Sequence, residues 1–167
     1  MSELKFVLAQ KEDLNTVMSI FTDATNEMNR NAIYQWDSIY PNINIIEEDI
    51  KKEQLYIGIY EGKIVSSYVL NQECDKQYNN GAWRYPNSTY YVLHRLCVNP
   101  QFQNKRIGTL TMLHIENEVK KMGADTIRLD VFSLNPYAVK LYENLGYCKV
   151  GLIHWRKGTF YLMEKKL

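Results

Sequence analysis

Two hydrophobic periods alternate along this chain, and each change of period marks a new element. Leu4 to Ala9 is a short apolar-rich run that predicts a strand. From Asp13 onward the apolar residues fall at Leu14, Val17, Met18, Phe21, Ala24 and Met28. Steps of three and four place them on one face of a helix. Residues 29–45 keep neither period and carry Tyr34, Trp36, Tyr40 and Pro41, so they predict an irregular segment. A second, shorter helix is predicted over 46–53. The run Leu55 to Tyr60 then predicts a strand, Glu61-Gly62 a two-residue turn, and Ile64 to Leu70 the hairpin partner. Residues 73–88 are polar, contain Asn79-Asn80-Gly81 and Pro86, and predict a loop.

Thr89 to Val98 is rich in aromatic and β-branched residues and predicts a strand that Pro100 ends, because proline has no N–H to give a ladder. Ile107 to Met122 predicts a helix with Ile115, Val119 and Met122 on one stripe. Leu110 and Leu113 widen that stripe, and Gly123 stops the helix. Thr126 to Phe132 alternates Ile127, Leu129 and Val131, the pattern of a strand. Pro136 opens a helix through Leu145, closed by Gly146. Tyr147 to Trp155 and Thr159 to Glu164 predict two last strands around Lys157-Gly158. The order β-α-α-β-β-β-α-β-α-β-β implies a mixed α/β (α+β) domain. Its expected core is a central, mostly antiparallel sheet of about seven strands flanked by about four helices.

Composition narrows the field of functions. At 167 residues the chain predicts one domain, 1–167. Twenty Lys+Arg against nineteen Asp+Glu leave a formal net charge of +1, which lacks the footprint of a nucleic-acid binder. No apolar run approaches the roughly 20 residues that span a bilayer, and Met1 to Lys5 carries no signal-peptide core. The three cysteines, Cys74, Cys97 and Cys148, are odd in number and lack CxxC spacing. That argues against a disulfide framework and a structural zinc site. The expectation is a cytoplasmic domain without a metal, nucleic-acid or membrane partner.

The segment richest in chemistry runs from Val98 through Asn99-Pro100-Gln101-Phe102 into Gln103, Asn104, Lys105, Arg106, Ile107, Gly108 and Thr109. It predicts a strand, a tight loop and a helix start. A helix N-terminus presents unsatisfied amides and about half a positive charge, which together favour phosphate. Gly108 lets the backbone approach an anion with no Cβ in the way, and Lys105 and Arg106 add charge. Neither GxGxxG nor GxxxxGK[ST] is present. Without a ligand, the same residues make an ordinary helix start with a solvated Lys-Arg pair.

Here the chain resembles the GNAT superfamily of acyl-CoA-dependent N-acetyltransferases. That family's pyrophosphate motif, Gln/Arg-x-x-Gly-x-Gly/Ala after a strand ending near Val-x-Pro, is matched by Gln103 to Gly108 after Val98-Asn99-Pro100, with Arg106 in place of the first glycine. A second family block, Asn-x-x-Ala-x-x-Leu-Tyr-x-x-x-Gly-Phe/Tyr, is matched by Asn135, Ala138, Leu141, Tyr142, Gly146 and Tyr147. The resemblance implies a GNAT fold and transfer of acetyl from acetyl-CoA to a primary amine on a small molecule or peptide. Dimers are common in the family, so a homodimer is allowed for. The alternative on the same fold is a catalytically silent acyl-CoA-binding or sensor module.

The resemblance also assigns roles. The backbone of Leu96, Cys97 and Val98 would hold the pantetheine arm, with the Val98 N–H donating to the acetyl carbonyl. Gln103 to Thr109 would cradle the pyrophosphate. Tyr142 would protonate the leaving thiolate; its other reading is a core tyrosine. Asn135 would bond the pantetheine arm, cap its helix, or do both. An alkyl amine is mostly protonated at neutral pH, so a base is needed. His94 is a candidate because period two puts it on one face with Val92, Leu96 and Val98; water wires are the alternative. Arg95 then points the other way, toward an acid. Tyr34 and Trp36 lie in the segment that lines the acceptor pocket in this family, or else fold over the core. His154 lies before the last turn and faces the acceptor or a dimer partner, or is an ordinary strand residue. Cys97 itself is expected to be a buried small hydrophobe.

Overall fold

The computed structural model describes residues 3–167; Met1 and Ser2, part of the N-terminal stretch discussed above, lie outside the described residues. The element order is that of the sequence pattern: β1 (Lys5–Leu8), α1 (Leu14–Arg30), α2 (Ile43–Lys51), β2 (Leu55–Tyr60), β3 (Lys63–Asn71), β4 (Tyr90–Val98), α3 (Ile107–Lys121), β5 (Thr126–Phe132), α4 (Pro136–Asn144), β6 (Cys148–Trp155) and β7 (Gly158–Lys166). Short 3-10 turns occur at Lys11–Asp13, Lys76–Asn80 and Pro100–Phe102. The seven strands follow the order β1-β2-β3-β4-β5-β7-β6. Strands β4 and β5 run parallel, whereas β1–β2, β2–β3, β5–β7 and β6–β7 are antiparallel.

The chain forms two compact units, 1–70 with 95–111, and 71–94 with 112–167. In the first, β1 pairs with β2 and β2 with β3 through a two-residue turn. Glu61 (φ +50°) and Gly62 (φ +72°) both take the left-handed conformation that such a turn requires. Val17, Ile20, Phe21 and Ala24 of α1 are buried, as the three-and-four spacing requires. They join Ile46, Leu55, Ile57, Val69, Trp36 and Cys97 in one core. Helix α2 begins at Ile43 and ends at Lys51, earlier at both ends than the pattern suggests. The cause is a cap: the Asn42 side chain accepts a hydrogen bond from the Ile45 amide at 3.1 Å.

In the second unit, Tyr90–Leu93 of β4 pairs with Thr126–Leu129 of β5, and β7 lies between β5 and β6. The last hairpin turns at Arg156-Lys157, one residue before the position the sequence suggests, because Trp155 pairs with Gly158. The 73–88 loop is tied down by Arg128. Its guanidinium lies 4.4 Å from the Trp83 ring centroid and 4.0 Å from that of Tyr90. The same group pairs with Glu164 at 3.2 Å and donates to the Tyr85 carbonyl. On α3, Met112, Ile115 and Val119 are buried, but Leu110 and Leu113, and Met122 just past its end, are exposed. The buried stripe is therefore narrower than the sequence suggests. Thr111 and Glu116 complete it, because each spends its polar atoms on a partner: Thr111 on the Ile107 carbonyl, Glu116 on Lys165.

Candidate active site

The anion cradle is built entirely within the first unit. Beyond Val98, the Asn99 amide donates to the Val65 carbonyl at 2.9 Å and its side chain donates to the Ile64 carbonyl at 3.1 Å. The same side chain accepts from the Gln101 amide, closing a 3-10 turn over Pro100–Phe102. Two anchors on β3 thus fix where the loop leaves the strand. Asn104 (φ +60°) and Arg106 (φ +62°) are then both left-handed, on either side of Lys105. Left-handed residues alternating along a backbone are the means by which successive amides can be turned toward one anion, as in an anion nest. Helix α3 begins at once: its first backbone bond runs from the Leu110 amide to the Arg106 carbonyl, so the amides of Ile107, Gly108 and Thr109 precede the intrahelical ladder.

Arg106 occupies the place of the family's first glycine and adopts the backbone that glycine would favour. For a side chain this costs about 1–2 kcal/mol. Gln103 to Arg106 are exposed, Ile107 is buried, and Gly108 and Thr109 are half-buried. Lys105 folds back over the Phe102 ring, its Nζ 5.1 Å from the centroid. The nest, the positive end of a helix and the two cations fit a diphosphate. Upstream, Leu96 and Val98 are half-buried and Cys97 is buried. Burial pushes the Cys97 thiol far up from its ordinary value, so it stays protonated and inert.

Arg95 changes the reading of β4. Its φ of +50° is left-handed in the middle of a strand, which interrupts the two-residue alternation. The face-sharing expected of His94 with Leu96 and Val98 rested on unbroken alternation, and so loses its basis. Arg95 does find the acid expected of it: the guanidinium forms a two-pronged pair with Asp49, Nε to Oδ2 at 3.0 Å and Nη2 to Oδ1 at 2.7 Å. Trp36 is 7% exposed, with its ring 5.2 Å from that of Phe21, so its surface is spent in the core. Tyr34 is 59% exposed.

In the second unit, Asn135 is buried at the start of α4, where its side chain accepts from the Ala138 amide at 3.1 Å. That is the cap predicted from Asn before Pro. Tyr142 is buried, its ring edge-on to Tyr147 with centroids 5.8 Å apart. Burial first, and then the negative charge of Asp130, push its phenol far up from its ordinary value. Asp130, half-buried on β5, accepts from the Tyr78 hydroxyl at 2.6 Å. Strand periodicity alone gave no signal for this carboxylate, which looks like any polar residue of an alternating strand. His94 Nε2 lies 2.8 Å from Asn71 Oδ1, an atom that also accepts from the Glu73 amide. Nε2 is then the donor in that bond. His154 is exposed, its Nδ1 3.0 Å from the Thr159 hydroxyl across the hairpin. Among the described residues no group of three or more His, Cys, Asp or Glu side chains could hold a metal, and no helix is long and apolar enough to cross a membrane.

Comparison with known proteins points one way. A profile of the acetyltransferase (GNAT) family matches residues 15–147. The [ribosomal protein bS18]-alanine N-acetyltransferase of Escherichia coli is 34% identical over 56 residues, a stretch covering 34% of this chain and 38% of that protein. The chain thus matches less than half the length of this curated relative. A GNAT-family acetyltransferase from Streptococcus agalactiae superposes with a TM-score of 0.84 at 21% identity, covering 98% of this chain and 95% of that one. The PaiA N-acetyltransferase of Thermoplasma acidophilum, solved in complex with coenzyme A, superposes with a TM-score of 0.73 at 18% identity over 99% of each chain. At these identities the two structures speak for the fold.

Proposed function

The chain belongs to the acetyltransferase (GNAT) family, and from that premise we propose that it transfers the acetyl group of acetyl-CoA to a primary amine by direct attack on the thioester. The observation that carries the proposal is the left-handed pair Asn104 and Arg106 opening onto the N-terminus of α3. A strained backbone at a non-glycine residue persists only where its surroundings hold it, and it is characteristic of functional sites. Support also comes from the family relative that is crystallised with coenzyme A.

When bound, acetyl-CoA supplies an activated acetyl on a thiol leaving group. The residues of this chain supply the rest. Amides from Asn104 to Thr109 would hold the diphosphate, and the backbone of Leu96 to Val98 the pantetheine arm. The Val98 N–H would donate to the acetyl oxygen as it gains charge. Asn135 would use the side chain that caps α4 to steady the same arm. Tyr142, at the family position of the acid, would pass its proton to the departing sulfur; its burial keeps the phenol protonated but adds no acidity. His94, or a water chain, would take the proton from the amine. Tyr34 and His154, both exposed, remain candidates for acceptor contact, while Trp36 serves the core. The name of the E. coli relative favours a peptide amine.

Because β4 and α3 each run through both compact units, we treat 1–167 as one functional domain. Three free cysteines accord with a reduced, cytoplasmic setting. The test is release of the coenzyme thiol from acetyl-CoA against a panel of amines that includes a peptide beginning with alanine. Amine-dependent release supports transfer. Tight acetyl-CoA binding with no release from any amine would favour the silent binding module instead.

A further inference from the structure

Three stretches of the first unit meet at Arg95. Strand β4 supplies the arginine, α2 supplies Asp49, and the segment between the two N-terminal helices supplies Tyr40. Besides its two-pronged pair with Asp49, the guanidinium donates from Nη1 to the Tyr40 hydroxyl at 2.9 Å, and it lies 5.9 Å from that ring's centroid. The pair is well shielded, with 13% of the Arg95 side chain and 9% of the Asp49 side chain exposed. Tyr40 is held in turn: Asp37 Oδ1 accepts from the Ile39 and Tyr40 amides at 3.0 and 3.1 Å, and the Asp37 amide donates to the Tyr40 carbonyl. On α2, Ile46 is fully buried in the core, so Asp49 projects from a fixed helix.

The backbone of Arg95 is as unusual as its side chain. A left-handed φ at a non-glycine residue costs about 1–2 kcal/mol, and here it falls immediately before Leu96, Cys97 and Val98. An arginine serves both ends of the arrangement. Its planar fork meets a carboxylate with two bonds and still has a donor for the phenol, which a lysine cannot match.

We infer that Arg95 is a positioning residue. Held by Asp49 and Tyr40, it clamps the 34–42 segment to the β4 backbone directly ahead of the Leu96–Val98 amides, so one rigid element sets both the acceptor side and the aim of the Val98 N–H. This rests on the proposed function for its meaning in catalysis, but the clamp itself can be read without turnover.

The experiment is amide hydrogen exchange on wild type, Tyr40→Phe and Asp49→Asn, followed by kinetics. Loss of the Tyr40 hydroxyl is expected to speed exchange by about threefold or more at both 36–42 and 95–98. Faster exchange confined to 36–42, or no change, overturns the clamp. In turnover with acetyl-CoA and an amine that wild type accepts, Tyr40→Phe is expected to raise the acceptor KM and lower kcat, each several-fold, and wild-type values of both would overturn the inference. Arg95→Lys is expected to lower kcat about tenfold or more, since small misplacements near reacting atoms are costly. Arg95→Gly separates backbone from side chain, because glycine adopts the left-handed conformation freely. Wild-type kinetics in Arg95→Gly would overturn the inference. If wild type turns over no amine at all, the proposed function fails, and the exchange pattern still decides the clamp.

Discussion

Tyr142 and Arg106 show how a residue's place in the fold changes what its type implies. A free phenol titrates near 10, so a tyrosine acid would ordinarily shut off the rate in mildly alkaline solution. Burial and the Asp130 charge push the Tyr142 phenol far higher, so it keeps its proton throughout the neutral and mildly alkaline range. Tyr142→Phe is therefore expected to lower kcat by about 100-fold or more. The wild-type kcat profile should show no alkaline fall from this group below about pH 10. An unchanged kcat in the variant would remove Tyr142 from the role of acid. Arg106→Gly is expected to raise stability by up to about 1 kcal/mol, the left-handed strain of a side chain less the entropy of a glycine. Thermal melting checks it, and a lowered midpoint would contradict the account of that backbone. The sequence displayed Arg106 as a departure from a glycine motif, yet residue identity alone does not reveal that the chain keeps the glycine conformation anyway. Trp36 teaches the converse: its type suits an acceptor pocket, but the core claims it through Phe21.

Elements were legible where one face had to be buried. The three-and-four spacing of α1 follows directly from burial of one face, whereas β5 reads as a strand by its alternation although it is buried on both faces, Arg128 among its buried residues. Boundaries set by a single polar contact were not legible. Helix α2 starts early because Asn42 caps it, and Asn42→Ala is expected to cost about 1 kcal/mol in chemical denaturation. The last turn falls at Arg156-Lys157 because pairing register fixes it, which no local preference announces. The 73–88 loop appeared only as polar sequence, since its order comes from Arg128, far along the chain. Glu164→Leu would leave that guanidinium buried without its carboxylate and is expected to cost about 3–5 kcal/mol. A second change, Arg128→Met, should recover much of that loss if the missing charge is the cause. Equal stability of Glu164→Leu and wild type would show the pair to be dispensable.

At the scale of the whole molecule, element order pointed to the family fold, and the two family blocks at 103–108 and 135–147, which carry the proposed site residues, fall one in each compact unit. Two other side-chain pairs, Tyr78 with Asp130 and Arg95 with Asp49, join residues far apart in the chain and carry no local signature. The buried acids also set an alkaline limit on the fold. Cys97, Tyr142 and Tyr147 all have their values raised, chiefly by burial. Below the values of the unfolded chain these groups are protonated in both states and stability is unaffected. As pH passes about 9, the unfolded thiol and then the unfolded phenols lose protons that the folded groups keep, so stability falls. The melting temperature should drop between neutral pH and about pH 10.5, and a flat profile would contradict these burial assignments.

The most direct test of the central claim is a calorimetric titration of acetyl-CoA into wild type and Gly108→Glu. A glutamate in the first turn is compatible with the helix, and favours its N-terminal end, but it brings bulk and negative charge to the diphosphate cradle. Saturable binding is expected for wild type, and none for a variant that melts no lower than wild type. Equal affinity in the two proteins would contradict it.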